Sequence, residues 1–198
     1  MNDKYKNVTI KGSMFPDAKI NHDSKISFTK ELMDEYIPTI SKMNVAKGIK
    51  LLCIIFADHE GFKKGTRSYR TNNPGNIGNT DSGKDSGFIS LEAGINAQIL
   101  YFQRIINGAS KTYPMGKKVT IKPFYSKEIA ENQASYKMSP YLPGYEFVFN
   151  GQLDQVVKIY STGARAGNTY LSQIISFFKN HGIEINEKTT LKEISEIK

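Results

Sequence analysis

The residues able to do chemistry concentrate in two adjoining stretches, Ala57-Asp58-His59-Glu60-Gly61-Phe62 and Arg70-Thr71-Asn72-Asn73-Pro74-Gly75-Asn76-Ile77-Gly78. Glu60 closes a strongly apolar segment. A carboxylate at the C-terminal end of an apolar helix is pushed toward its neutral form by partial desolvation and by the negative end of the helix dipole. An acid still protonated near neutral pH is what a glycosidase uses to protonate a leaving sugar oxygen. The asparagine- and glycine-rich loop offers backbone N–H and C=O groups and side-chain amides, suited to gripping the acetamido group of an N-acetyl sugar. Taken singly, a helix-end glutamate and an Asn-Pro-Gly-Asn turn are ordinary; their succession is informative.

The other reactive residue types are sparse. Cys53 is the one cysteine, so no intramolecular disulfide can form, and its apolar run Leu51-Leu52-Cys53-Ile54-Ile55-Phe56 reads as an inert core position. His22, His59 and His181 are scattered, with no metal-ligand spacing, and neither a metal nor a cofactor is expected. Retaining and inverting glycosidases place two carboxylates about 5–5.5 Å or 6.5–9.5 Å apart, whereas a transglycosylase needs one acid because a hydroxyl of the substrate attacks. Asp58 lies two positions before Glu60 on a helix, so the two side chains point to different faces.

These residues need elements to hold them. Val45 to His59 is apolar on nearly every side, the pattern of a helix through a core, and Gly61 ends it. Before it, Met33, Tyr36, Ile37 and Ile40 mark a helix face that Pro38 should kink or split. Apolar bits around Ile77 and at Phe88-Ile89 read as the legs of a small hairpin. Ser90 is an N-cap with Glu92 in the first turn, and Leu91, Ile95, Ile99, Phe102 and Ile106 follow until Asn107-Gly108. Further helices carry Leu153 to Tyr160, and Leu171 to Phe178 ending near His181-Gly182. Residues 109–150, where Pro114, Pro123, Pro140 and Pro143 break up Val119-Thr120-Ile121 and Tyr145 to Phe149, read as an irregular insertion with short strands and one helix after Ser126. Thr190-Leu191-Lys192-Glu193 has the form of a capping box, read as opening a short peripheral helix.

The helix-terminal Glu60 followed by Asn72-Asn73-Pro74-Gly75-Asn76-Ile77, then Phe88-Ile89-Ser90-Leu91-Glu92-Ala93-Gly94-Ile95-Asn96-Ala97, Leu153 to Tyr160 and Asn168-Thr169-Tyr170-Leu171, resembles the lysozyme-like superfamily of peptidoglycan-cleaving enzymes, in particular its phage endolysin and virion-associated members. The resemblance spans roughly residues 45–182, with 109–150 as a departure. It implies a mainly α fold with a small β-hairpin lobe (α+β) and a groove for the glycan strand. It places Glu60 as general acid, Asn73, Gly75, Asn76 and Ile77 in the sugar-contacting loop, and Gln98 and Tyr160 on helices lining the groove; Arg70 joins these as a substrate contact. Asp81 and Asp85, on the expected hairpin, lie where the resemblance would put a second carboxylate, although both also make good turn residues. The implied layout is an N-terminal arm over 1–26, a catalytic domain over 27–184 and a C-terminal tail over 185–198.

The 198 residues carry 27 Lys and Arg against 19 Asp and Glu, a formal charge of +8, which calls for a polyanionic partner. Lys63, Lys64, Arg67 and Arg70 follow Glu60, and Lys117, Lys118 and Lys122 lie in the insertion, a positive rim suited to an anionic wall polymer. No helix-turn-helix or basic aromatic helix argues for nucleic acid, and no apolar run of spanning length argues for membrane insertion. The expected activity is cleavage between N-acetylmuramic acid and N-acetylglucosamine, a muramidase ahead of a glucosaminidase, with hydrolysis and lytic transglycosylation both open. The opening residues lead into no signal-peptide stretch. The expectation is thus a protein made in a host cytoplasm and acting in the periplasm or wall, by holin release or as a virion component. A non-catalytic virion or tail protein retaining the fold is the alternative.

Overall fold

The computed structural model describes residues 8–9, 25–26, 28–78, 85–120, 146–161 and 166–198. Among them the chain is mainly helical with small antiparallel strand pairs. It divides into two compact units, the first holding Ile26–Arg104 and Ile194–Lys198, the second Ile105–Glu193.

In the first unit a π-helical turn over Leu32–Tyr36 runs directly into α1 (Ile37–Lys42). Pro38 sits in the first turn of α1. Its ring and missing N–H conflict with the carbonyl four residues back, and a local shift to i→i+5 bonding widens the helix there instead of breaking it. Next come α2 (Lys47–His59), the short α3 (Arg67–Arg70) and α4 (Leu91–Ile106), whose Ser90 Oγ accepts from Ala93 N at 3.2 Å as the cap read from the sequence. The core gathers Leu32, Tyr36, Ile40, Leu52, Ile55, Phe62, Ile95 and Phe102, with Phe56 and Phe102 meeting edge to face at 5.1 Å. Each such buried side chain contributes about 1.5–3 kcal/mol. The N-terminus of α2 is seated on the chain's last residues: Gly48 N donates to Ile197 O at 3.2 Å, and a Cβ at Gly48 would stand 1.9 Å from Ile194 O.

In the second unit β3 (Lys118–Thr120) pairs antiparallel with β4 (Glu146–Val148), Val119 opposite Phe147, followed by α5 (Leu153–Ser161) and α6 (Ala166–Asn180), which pack together, and by the start of α7 (Leu191–Ser195), whose last two residues belong to the first unit. The intervening 121–145 lies outside the described residues. The capping box forms as read: Glu193 Oε2 accepts from Thr190 N at 2.6 Å and Thr190 Oγ1 accepts from Glu193 N at 3.2 Å. The tail is nonetheless not peripheral, because Leu191 and Ile194 are fully buried. In the N-terminal arm, the described residues are strands β1 (Val8–Thr9) and β2 (Lys25–Ile26), which pair as a two-stranded sheet.

The hairpin expected around Ile77 and Phe88-Ile89 is not there among the described residues, which form turns over 71–78 and no strand at 85–90. Two features prevent a ladder. Asn72 and Asn76 take left-handed φ values of 52° and 48°, and the Asn73 side chain, rather than an opposing strand, satisfies the backbone of Ile77. The small antiparallel lobe lies instead at β3 and β4.

Candidate functional site

Glu60 owes its position to how α2 stops. Gly61 turns left-handed at φ 64°, Gly61 N donates to Asp58 O at 2.9 Å and Phe62 N reaches back to Ala57 O at 3.1 Å. This paired 5→2 and 6→1 bonding is a Schellman end, which fixes the last helical residue and buries Phe62 beneath it. Glu60 is thus a rigid half-buried carboxyl at the negative end of an apolar helix.

The loop facing it is built around Asn73, which is fully buried. Its Nδ2 donates to Ile77 O at 2.9 Å and to Ser86 O at 3.0 Å, while Oδ1 accepts from Ile77 N at 2.8 Å. Asn72 Nδ2 adds a bond to Phe88 O at 3.2 Å. Asn73 O also receives Asn76 N at 3.0 Å, and the Asn76 amide then donates through Nδ2 to Glu60 Oε2. Helix α4 forms the seat. A Cβ at Gly94 would stand 1.8 Å from Asn72 O, so that glycine is needed for the close approach, and one at Gly75 would stand 3.0 Å from Gln98 Cγ, a tight fit. Gln98 is itself buried, accepting from Tyr36 Oη at 2.6 Å and donating to Cys53 O at 3.1 Å.

Burial raises the proton affinity of Glu60, against the opposing effects of the Asn76 hydrogen bond and the Arg67 charge; the net direction is upward. Asp58 is pushed higher, to about 7, by burial alone. Arg67 is shared, since its Nε also lies 3.9 Å from Asp85 Oδ1. Asp85 Oδ2 takes Arg70 Nη2 at 2.7 Å on the exposed surface.

No family model, curated protein or solved structure matches this chain. The site must therefore be read from its own geometry.

That geometry brings Glu60, Asn73, Gly75, Asn76, Ile77 and Gln98 into one assembly but gives several of them work other than contact with a sugar. Asn73 and Gln98 were expected to face substrate; both turn inward with their amides occupied, so they support the loop from behind. Ile77 enters through its backbone. Arg70 and Asp85, expected as a substrate contact and a second carboxylate, are paired with each other. Asp81 and Lys122 lie outside the described residues. Tyr160 belongs to the second unit, where its ring lies 6.1 Å from that of Tyr170. The sequence marks Arg67 only as part of a basic rim, and neither the Tyr36 hydroxyl bond nor the desolvation of Asp58 has a local signature. A cavity of about 280 Å³ in the second unit, lined by Ile105, Ile106, Met115, Asn150, Gly151, Thr190, Leu191 and Lys192, includes no carboxylate and none of the candidate residues. Among the described residues no helix is long and apolar enough to cross a membrane.

Proposed function

We propose that this chain cleaves the glycan strand of bacterial peptidoglycan, with Glu60 as the general acid. The observation that carries the reading is a single carboxyl, fixed by a Schellman helix end, desolvated enough to hold its proton above the ordinary range, and faced by a rigid amide-rich loop. In the reaction the proton of Glu60 passes to the glycosidic oxygen. The C1–O bond breaks with its electron pair on that oxygen, and the oxocarbenium-like sugar is taken by water or by a hydroxyl of the substrate, whose released proton returns to the Glu60 carboxylate and restores the acid. Asp85 is ion-paired with Arg70 and close to Arg67. The cluster Lys63, Lys64, Arg67 and Arg70 around the helix end suits an anionic wall polymer. Release through a holin pore and delivery within a virion both fit this role.

The test is digestion of purified peptidoglycan with the wild type and Glu60→Gln. Loss of cleavage in a folded variant is expected; retained cleavage overturns the assignment. Mass spectrometry of the products separates muramidase, glucosaminidase and anhydro-muramic ends, and wall binding without cleavage by the wild type would mark a non-catalytic virion component.

A further inference from the structure

We infer that Asn76 is a positioning residue for Glu60 and not a contact to the sugar: its amide occupies Oε2 and leaves Oε1 as the oxygen that delivers the proton. The inference rests on the reading of Glu60 as the acid. Of the two oxygens of a protonated carboxyl, the carbonyl oxygen is the good acceptor, so an N–H aimed at Oε2 selects the form with its hydrogen on Oε1. Asn76 is not at liberty to swing toward a ligand. Its φ of 48° is left-handed, its N–H is held by Asn73 O at 3.0 Å, and the next residue is clamped at both its N–H and its carbonyl by the buried Asn73 amide. As the proton leaves Oε1, the bond from Asn76 becomes charge-assisted and about twice as strong as a neutral one. It therefore strengthens on the way to the transition state, the condition under which an interaction accelerates a reaction.

The remaining titratable groups on the segments around Glu60 are Asp58 and His59 on α2, Lys63 and Lys64 in the following turn, and Arg67, Tyr69 and Arg70 on α3, where Tyr69 donates to Glu35 and both arginines lie against Asp85. Arg67 is the one that acts on the carboxylate through its charge, in the same direction as Asn76.

Two variants keep the left-handed backbone while changing the amide, because glycine and aspartate both tolerate positive φ. Asn76→Gly removes the donor; Asn76→Asp puts a second carboxyl against the first. The Glu60 carboxyl carbon is titrated by NMR in all three proteins, and kcat and KM are followed against pH on purified glycan strands. The midpoint of Glu60 is expected to rise in Asn76→Gly and further in Asn76→Asp, with the alkaline limb of the kcat profile following it. At the wild-type optimum kcat falls by about tenfold while KM stays within about twofold. Unchanged midpoints in both variants overturn the inference, as does a raised KM with kcat and its pH profile intact, the signature of a sugar contact. Should the wild type cleave no glycan, the assigned reaction fails, yet the titration still decides whether Asn76 holds Glu60.

Discussion

Glu60 in the first unit and Asp154 in the second are both carboxylates drawn away from water, and they are handled in opposite ways. Asp154, only 2% exposed, accepts on one oxygen from Lys158 Nζ at 3.0 Å and from Lys188 Nζ at 3.1 Å, with Lys158 itself buried. Glu60 is given one amide and a guanidinium that it shares with Asp85. A sheltered carboxylate bonded to a buried ammonium group is architecture, since neither Asp154 nor Lys158 can be removed without stranding the other. One left under-compensated keeps a transferable proton. Burial alone does not separate a structural acid from a reactive one; the charge placed around it does.

Four substitutions would break or sharpen that contrast. Glu60→Gln is expected to cost about 10³-fold in glycan cleavage, about 4 kcal/mol at the transition state, with its thermal midpoint close to wild type. Asp154→Ala should do the converse: chemical denaturation should reveal a loss of about 3–5 kcal/mol from the stranded Lys158, while activity per folded molecule is retained. Asp58→Asn probes a carboxyl with burial and no cation. Between about pH 4 and 7 folded Asp58 holds a proton that the unfolded chain has lost, so wild-type stability falls as pH rises through that window and levels off above it. The variant should match wild type near pH 3.5 and exceed it by about 2–4 kcal/mol at pH 8, measured by urea unfolding at each pH. Arg70→Gln, which opens the exposed pair with Asp85, should shift stability by less than about 1 kcal/mol, and less still in high salt.

Much of this division was legible beforehand where the signal is local. The all-round apolar run of α2, the glycine that stops it, the Ser90 cap of α4 and the Thr190–Glu193 box are properties of neighbouring residues, and each stands where the sequence puts it. What the string could not reveal is the direction in which a side chain is spent. Asn73 and Asn76 are three positions apart and chemically identical, yet one closes the loop on itself and the other reaches the acid, a distinction made by Ser86 and Glu60 from distant parts of the chain. Gln98 is a further case, because Tyr36 and the Cys53 carbonyl claim its amide across 62 and 45 residues. The misplaced hairpin is a related failure: short apolar bits around Ile77 and at Phe88-Ile89 suggest strands, and two left-handed asparagines make turns instead.

The lone thiol has a use as a clock. Cys53 is fully buried in the middle of α2, its proton affinity raised by that burial, and its own carbonyl ties the helix to Gln98. It can meet an aqueous thiol reagent only when the helix that carries Glu60 comes away from the core. The labelling rate in native conditions therefore counts those openings one helix at a time, and its denaturant dependence separates a partial detachment of α2 from unfolding of the whole chain.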